Sequence, residues 1–120
     1  MLHCLAVGAG GFIGSILRYL IGLIPLNEST IFPYKTLFIN LLGSFFIGLL
    51  AAWGLKHHPN PSLTLFLKVG LCGGFTTFST FALESVQLLQ TEKYFSAFLY
   101  IVLSIGLSLS ALYAAQGLVK

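Results

Sequence analysis

The chain has 120 residues, of which 57% are hydrophobic and only 8% charged, with a formal net charge of +3. A soluble domain carries roughly 25% charged residues, so a free-standing soluble globule is excluded, and one all-α integral membrane domain spanning residues 1–120 is expected. The six Lys and Arg residues are scattered singly and make no nucleic-acid footprint.

A helix crosses the hydrocarbon core of a bilayer with about 20 apolar residues, and four such stretches follow one another. The first is about Leu2–Ile24. It has no Lys or Arg ahead of it and no A-x-A cleavage pattern after it, so a span is expected rather than a signal peptide. Gly10 and Gly14 form a G-x-x-x-G, with Gly11 and Ser15 beside it, a face suited to close helix packing. Gly8-x-Gly10 is followed by Ile13, so the dinucleotide fingerprint fails. Arg18 near the end of this span either snorkels to the interface or draws anions into a vestibule. A loop with Pro25, Asn27, Glu28, Ser29, Thr30 and Pro33 follows.

The second span is about Thr36–Leu55, with Asn40, Ser44 and Gly48 at spacing four and therefore on one face. The prolines of Lys56-His57-His58-Pro59-Asn60-Pro61-Ser62 stop it. The third, about Leu63–Leu89, is interrupted by glycines. Gln90-Thr91-Glu92-Lys93 connects it to the fourth, about Tyr94–Val119, where Tyr100, Ser104 and Ser108 repeat at spacing four and Ala111 and Ala115 follow. An apolar helix with one polar stripe turns that stripe to protein or water. The plainer alternative is that each hydroxyl bonds the carbonyl four residues back. Trp53, Tyr19, Tyr34 and Tyr94 fall near span ends, as interfacial anchors do.

The stretch GLCGGFTTFSTF, Gly70–Phe81, holds the weakest helix formers in the middle of the third span. Each glycine costs about 1 kcal/mol relative to alanine. A break here frees backbone groups, which are tolerated at membrane depth only when buried in protein or lining a cavity. Transporters use such breaks to bind ions, so this one is a candidate ion site, with a mere kink at packed glycines as the plainer alternative. Phe78 and Phe81 are three apart and share a face, among the hydroxyls of Thr77, Ser79 and Thr80. A phenyl ring has a positive edge, which can line an anion's path without a competing full charge. Plain core packing is the other use of such a pair. Glu84, the one acid within a span, lies about two turns beyond the break, which suits a polar network near the aqueous mouth rather than a proton relay. Cys4 and Cys72 are far apart, His57 and His58 have no Cys or carboxylate beside them, and no C-x-x-C occurs, so no metal site built from these side chains is expected.

Basic residues divide evenly between the two sides. Lys56, Lys68 and Lys120 fall on one, and Arg18, Lys35 and Lys93 on the other. The positive-inside rule needs a Lys/Arg bias to fix orientation, so insertion both ways round, and an antiparallel dimer of inverted copies, is expected ahead of the alternative, a fixed orientation set by something subtler. Four helices are also few to enclose a pore, which favours an oligomer.

Three segments, GAGGFIGSILRY, TLFINLLGSFFIG and GLCGGFTTFSTFALE, resemble the Fluc (CrcB) fluoride channels, and the resemblance covers essentially the whole chain. It implies a fluoride-selective channel of the bacterial inner membrane that exports fluoride by passive conduction. The implied assembly is an antiparallel, dual-topology homodimer in the lipid bilayer, with two pores and a sodium ion at its centre. By motif, the backbone carbonyls of Gly73 and Thr76 would hold sodium. Asn40, Phe78 and Phe81 would line the pore, with Thr77 and Ser79 beside them. Tyr100, Ser104 and Ser108 would form a polar track, and Arg18 would stand near the vestibule. Rival readings are a small multidrug-type exporter, which needs a carboxylate in the first span that this chain lacks, and a non-conducting scaffold, which leaves the phenylalanine-threonine run without a purpose. An embedded enzyme lacks any nucleophile–base set.

Overall fold

The computed structural model describes residues 1–25 and 32–119; the loop residues Asn27, Glu28, Ser29 and Thr30, and Lys120, lie outside the described residues. Among the described residues every regular element is helical: α1 Leu2–Gly22, α2 Tyr34–His57, α3 Pro61–Thr64, a π-helical segment Leu65–Cys72, α4 Gly73–Phe75, α5 Phe78–Gln90 and α6 Tyr94–Val119. They give four stretches long and apolar enough to cross a membrane: Leu2–Gly22, Tyr34–His57, Pro61–Gln90 and Tyr94–Val119. The 26 residues of α6 make a rod of about 39 Å, longer than the ~30 Å hydrocarbon core.

The ends follow local chemistry. Pro33 precedes α2, and Pro61 occupies the first turn of α3, where its missing N–H costs nothing. Asn60 caps α3 by accepting the Ser62 N–H at 2.8 Å. These prolines explain why the second and third spans start two residues earlier than the hydropathy pattern alone suggests. Glu92 takes the left-handed conformation, φ 62°, just after α5. Its N–H bonds the Leu89 carbonyl and that of Lys93 bonds Leu88, at 3.1 and 2.8 Å, which is a Schellman closure. The tight turn leaves α5 and α6 as packed neighbours.

Two helix pairs build the body. The first is α2 along α6; the second is α1 along the π-helical segment and α4. Lipid tails are as apolar as leucine, so these pairs hold by close approach of backbones. Gly10 and Gly14 are buried against the backbone of Phe66, Gly70 and Leu71. A Cβ on Gly70 would stand 2.7 Å from the Val7 carbonyl oxygen, and one on Gly74 2.8 Å from that of Gly11. Two small-residue faces at spacing four, one on each span, therefore lie directly on one another. Gly48 does the same for the other pair, where a Cβ would come within 2.6 Å of the Leu112 carbonyl. Few apolar residues are buried among the described residues, and Leu88, Ala97 and Tyr100 form one cluster with Phe32, Leu37 and Phe81 packed on it. Large apolar side chains cover the outside, which suits hydrocarbon as solvent.

Candidate functional site

Within Pro61–Gln90 the helical backbone runs to Phe75 and resumes at Phe78. Thr76 and Thr77 between them are extended, at φ −89°, ψ 158° and φ −152°, ψ 121°. An α-helix passes each N–H to the carbonyl four residues back. In a continuous helix the Thr77 N–H would go to Gly73, and the Thr80 N–H to Thr76. Here the Thr77 N–H donates to Asn40 Oδ1 at 2.9 Å, and the Thr80 N–H donates to Thr77 Oγ1 at 3.2 Å. Two side chains thus take over the donors that would have covered the carbonyls of Gly73 and Thr76.

The neighbouring carbonyls are occupied. Arg18 Nε donates to Gly74 O at 3.1 Å, placing a cation on the end of α4, where exposed carbonyls favour positive charge. Cys72 O accepts from both the N–H and the Oγ1 of Thr76, at 3.0 and 2.9 Å. Asn40 Nδ2 donates to Thr77 O at 3.2 Å, so its amide clamps one residue by both polar ends. Thr77 Oγ1 also donates to Thr80 Oγ1 at 3.2 Å and lies 3.4 Å from Ser79 Oγ.

A groove of about 330 Å³ opens beside the interruption. Asn40, Ser44 and Ile47 line it from α2, Thr76, Thr77, Phe78 and Phe81 from the third span, and Ser104, Ile105, Ser108 and Leu109 from α6. No acid or base lines it. Phe78 is 79% exposed, and its ring centroid lies 5.6 Å from that of Phe81. Ser104 is only 7% exposed, and among the described residues its Oγ has no hydrogen-bond partner. The hydroxyls of Thr76, Ser85 and Thr91 do bond the carbonyl four residues back. Ser104 does not, so the plainer account of the polar stripe fails at this residue. The larger cavity, about 580 Å³ between α1, α2 and the third span, is apolar from Leu17 to Phe75 and offers no groups for ion chemistry.

Most of the sequence-expected pore residues meet in this groove: Asn40, Thr77, Phe78, Phe81, Ser104 and Ser108. Three behave differently. Tyr100 shares the α6 stripe but lies beneath the groove, 0% exposed, with its ring 5.2 Å from Phe81. Its hydroxyl donates to Glu84 Oε1 at 3.0 Å, so in the single chain Tyr100 is a core residue that anchors the acid. Ser79 is exposed beside Thr77 rather than lining the groove. Arg18 turns its guanidinium onto Gly74, an engagement that spacing along α1 does not reveal.

The chain matches the family described as CrcB-like protein, Camphor Resistance (CrcB), over residues 5–116. A relative from Rhizobium meliloti, named fluoride-specific ion channel FluC, is 46% identical over 100% of this chain and 98% of its own length. A relative of the same name from Ruminiclostridium cellulolyticum is 47% identical over 100% of this chain and 94% of its own length. One from a Shewanella species, also so named, is 42% identical across 99% of this chain and 97% of its own. A family match over residues 5–116 and relatives alike over the whole chain place this chain in the CrcB-like family.

Proposed function

We propose that this protein is a fluoride-selective ion channel that conducts passively across the bacterial inner membrane. The observation that carries the reading is the groove, which is lined by hydroxyls and phenyl rings with no acid or base, beside an interrupted span. A cation carrier would place a carboxylate there, and a pump would need a nucleotide site. The relatives' names supply the identity of the ion.

The path follows the groove. Fluoride gives up water as it enters and takes hydrogen bonds from hydroxyls still able to donate, Ser104 first among them, since its Oγ has no partner. The second N–H of Asn40 is also free to donate, because an amide nitrogen carries two hydrogens and one is given to Thr77. The edges of Phe78 and Phe81 offer partial positive charge without binding the ion too tightly to leave. The N-terminus of α5 adds its positive dipole end at the same level. Selectivity follows from a bore fitted to a small dehydrated anion and from donors strong enough to replace its water.

The interruption lies mid-membrane in this reading, and the working unit is an antiparallel homodimer of inverted copies with two pores. Half a groove with a phenylalanine exposed at its rim supports a second copy closing it. The carbonyls of Gly73 and Thr76, the two that lose their helical donors, fit a sodium ion shared between copies. When bound, sodium would supply positive charge to those carbonyls. Arg18 and Asn40 hold those ends in place.

The deciding experiment is efflux from liposomes of purified protein, read with fluoride and chloride electrodes together. Fast fluoride loss without chloride loss is expected. Loss of both ions would remove the selectivity, and loss of neither from folded protein would end the channel reading.

A further inference from the structure

Three of the chain's basic residues end on the last carbonyls of another helix: Arg18 on Gly74, Lys35 Nζ on Gly22 at 2.7 Å, and Lys56 Nζ on Val119 at 3.5 Å. Cations cap helix C-termini in this way because the exposed carbonyls carry partial negative charge. Lys93 lies in the wet connector between α5 and α6. Lys68 fits none of these uses. It stands inside the span Pro61–Gln90, its side chain is exposed, and among the described residues it makes no hydrogen bond or ion pair. The acid of the same span, Glu84, is bonded to Tyr100 on the far side of the interruption.

A lone ammonium facing hydrocarbon within a span is costly, and such residues turn to water or to a partner. The π-helical segment sets where this one turns. Its turn is wider than an α-helical one, so residues five apart come into register. Lys68 and Gly73 are both exposed, while Gly70, Cys72 and Phe75 are buried between and beyond them. A Cβ on Gly73 would lie 3.9 Å from the Lys68 carbonyl oxygen. Lys68 and Gly73 therefore share one exposed face, with Lys68 one π-helical turn ahead of Gly73.

We propose that Lys68 is a specificity-determining charge at the entrance to the ion path: it gathers anions toward the interruption and weakens cation binding at the Gly73 and Thr76 carbonyls. The inference rests on the channel reading above, and it adds a residue of opposite effect on the two ions. A positive charge one turn away lowers the energy of an approaching anion and raises that of a cation on the carbonyls. In an inverted dimer one Lys68 faces each side of the membrane, so both entrances are affected alike. Low salt enlarges the effect and high salt removes it.

The test compares wild type, Lys68→Gln and Lys68→Arg in two assays. The first is fluoride efflux at low and high ionic strength. The second is thermal stabilisation of purified protein by added sodium chloride against choline chloride, which does not depend on conduction. Lys68→Gln should lose about fivefold in efflux at low salt and almost nothing at high salt. It should also shift its sodium midpoint to about fivefold lower concentration. Lys68→Arg should match wild type in both. A fold defect would weaken both readouts, so the opposed signs are diagnostic. Unchanged efflux and an unchanged sodium midpoint in a folded Lys68→Gln would overturn the inference and place the ammonium among lipid headgroups. Should Lys68→Gln not fold, Lys68→Cys in a Cys4→Ser background answers by labelling with a membrane-impermeant thiol reagent. Reaction supports a wet face, and protection refutes it. Wild type that conducts no fluoride, yet has a sodium midpoint moved by Lys68→Gln, would sink the channel reading and keep the electrostatic one.

Discussion

Asn40→Ala removes both hydrogen bonds that hold Thr77 extended, at 2.9 and 3.2 Å. Each is worth about 1 kcal/mol net, and a backbone N–H left dry costs about 1–3 kcal/mol. With the lost bond to the Thr77 carbonyl at about 1 kcal/mol and the stranded Thr77 N–H at about 1–3 kcal/mol, the total comes to about 2–4 kcal/mol. The freed N–H has one nearby remedy. It can turn back to Gly73 and extend the helix, which covers the carbonyl assigned to sodium. At 1.4 kcal/mol per tenfold, the balance moves toward the continuous helix by roughly 30- to 700-fold. Fluoride efflux should fall at least tenfold, and the stabilisation by sodium should fall with it. Asn40→Asp keeps an acceptor for the Thr77 N–H, so sodium should still stabilise it more than the alanine variant. Efflux and sodium stabilisation both at wild-type level in folded Asn40→Ala would refute the clamp.

Phe81→Ile should abolish fluoride efflux while the protein keeps the elution volume of wild type; a variant conducting normally would remove the ring edges from the mechanism. Tyr100→Phe takes the donor from Glu84 and should cost about 1–3 kcal/mol in denaturant or thermal unfolding, an effect that an exposed pore tyrosine would not show. Ser104→Ala should leave the melting temperature unchanged or raise it, because it deletes a buried hydroxyl that has no partner, yet it should slow fluoride efflux. A lower melting temperature with full efflux would mean that Ser104 serves the fold alone.

Hydropathy and spacing disclose the four spans, since a membrane helix needs a long apolar run and little else. The Gly10/Gly14 face is legible too, because two glycines at spacing four can do little but pack closely. The polar stripes on α2 and α6 show which residues share a face, though not how deep each lies. Tyr100 and Ser104 are one turn apart on α6, yet the first is sealed under Phe81 and the second lines the groove. That difference is made by α5 crossing one end of the stripe, and no local pattern encodes it. The partners of Asn40 and Arg18 are 37 and 56 residues away. Sequence supplies a donor and an acceptor in such cases, and tertiary packing alone decides that they meet. The π-helical segment is likewise hidden. Nothing in the run LFLKVGLC marks a π-turn rather than an α-turn, and the close approach of α1 to its one glycine, Gly70, appears only in the fold.

The polar groups around the interruption fall into two sets by what they already hold. Asn40, Arg18, Thr77 and Thr80 bond the backbone of the third span or one another, and so fix its shape. Ser104 holds nothing, and Phe78 is largely uncovered. On the proposed reading the uncharged members of the first set hold the geometry that fluoride and sodium would both need, so damage to Asn40, Thr77 or Thr80 should weaken both responses together. The second meets only the anion, so damage there must leave the sodium response intact. Lys68 belongs to neither, because a nearby charge acts on the two ions with opposite sign. Measuring both responses in each variant therefore separates shape, contact and field, which a conduction assay alone would merge into one loss of flux.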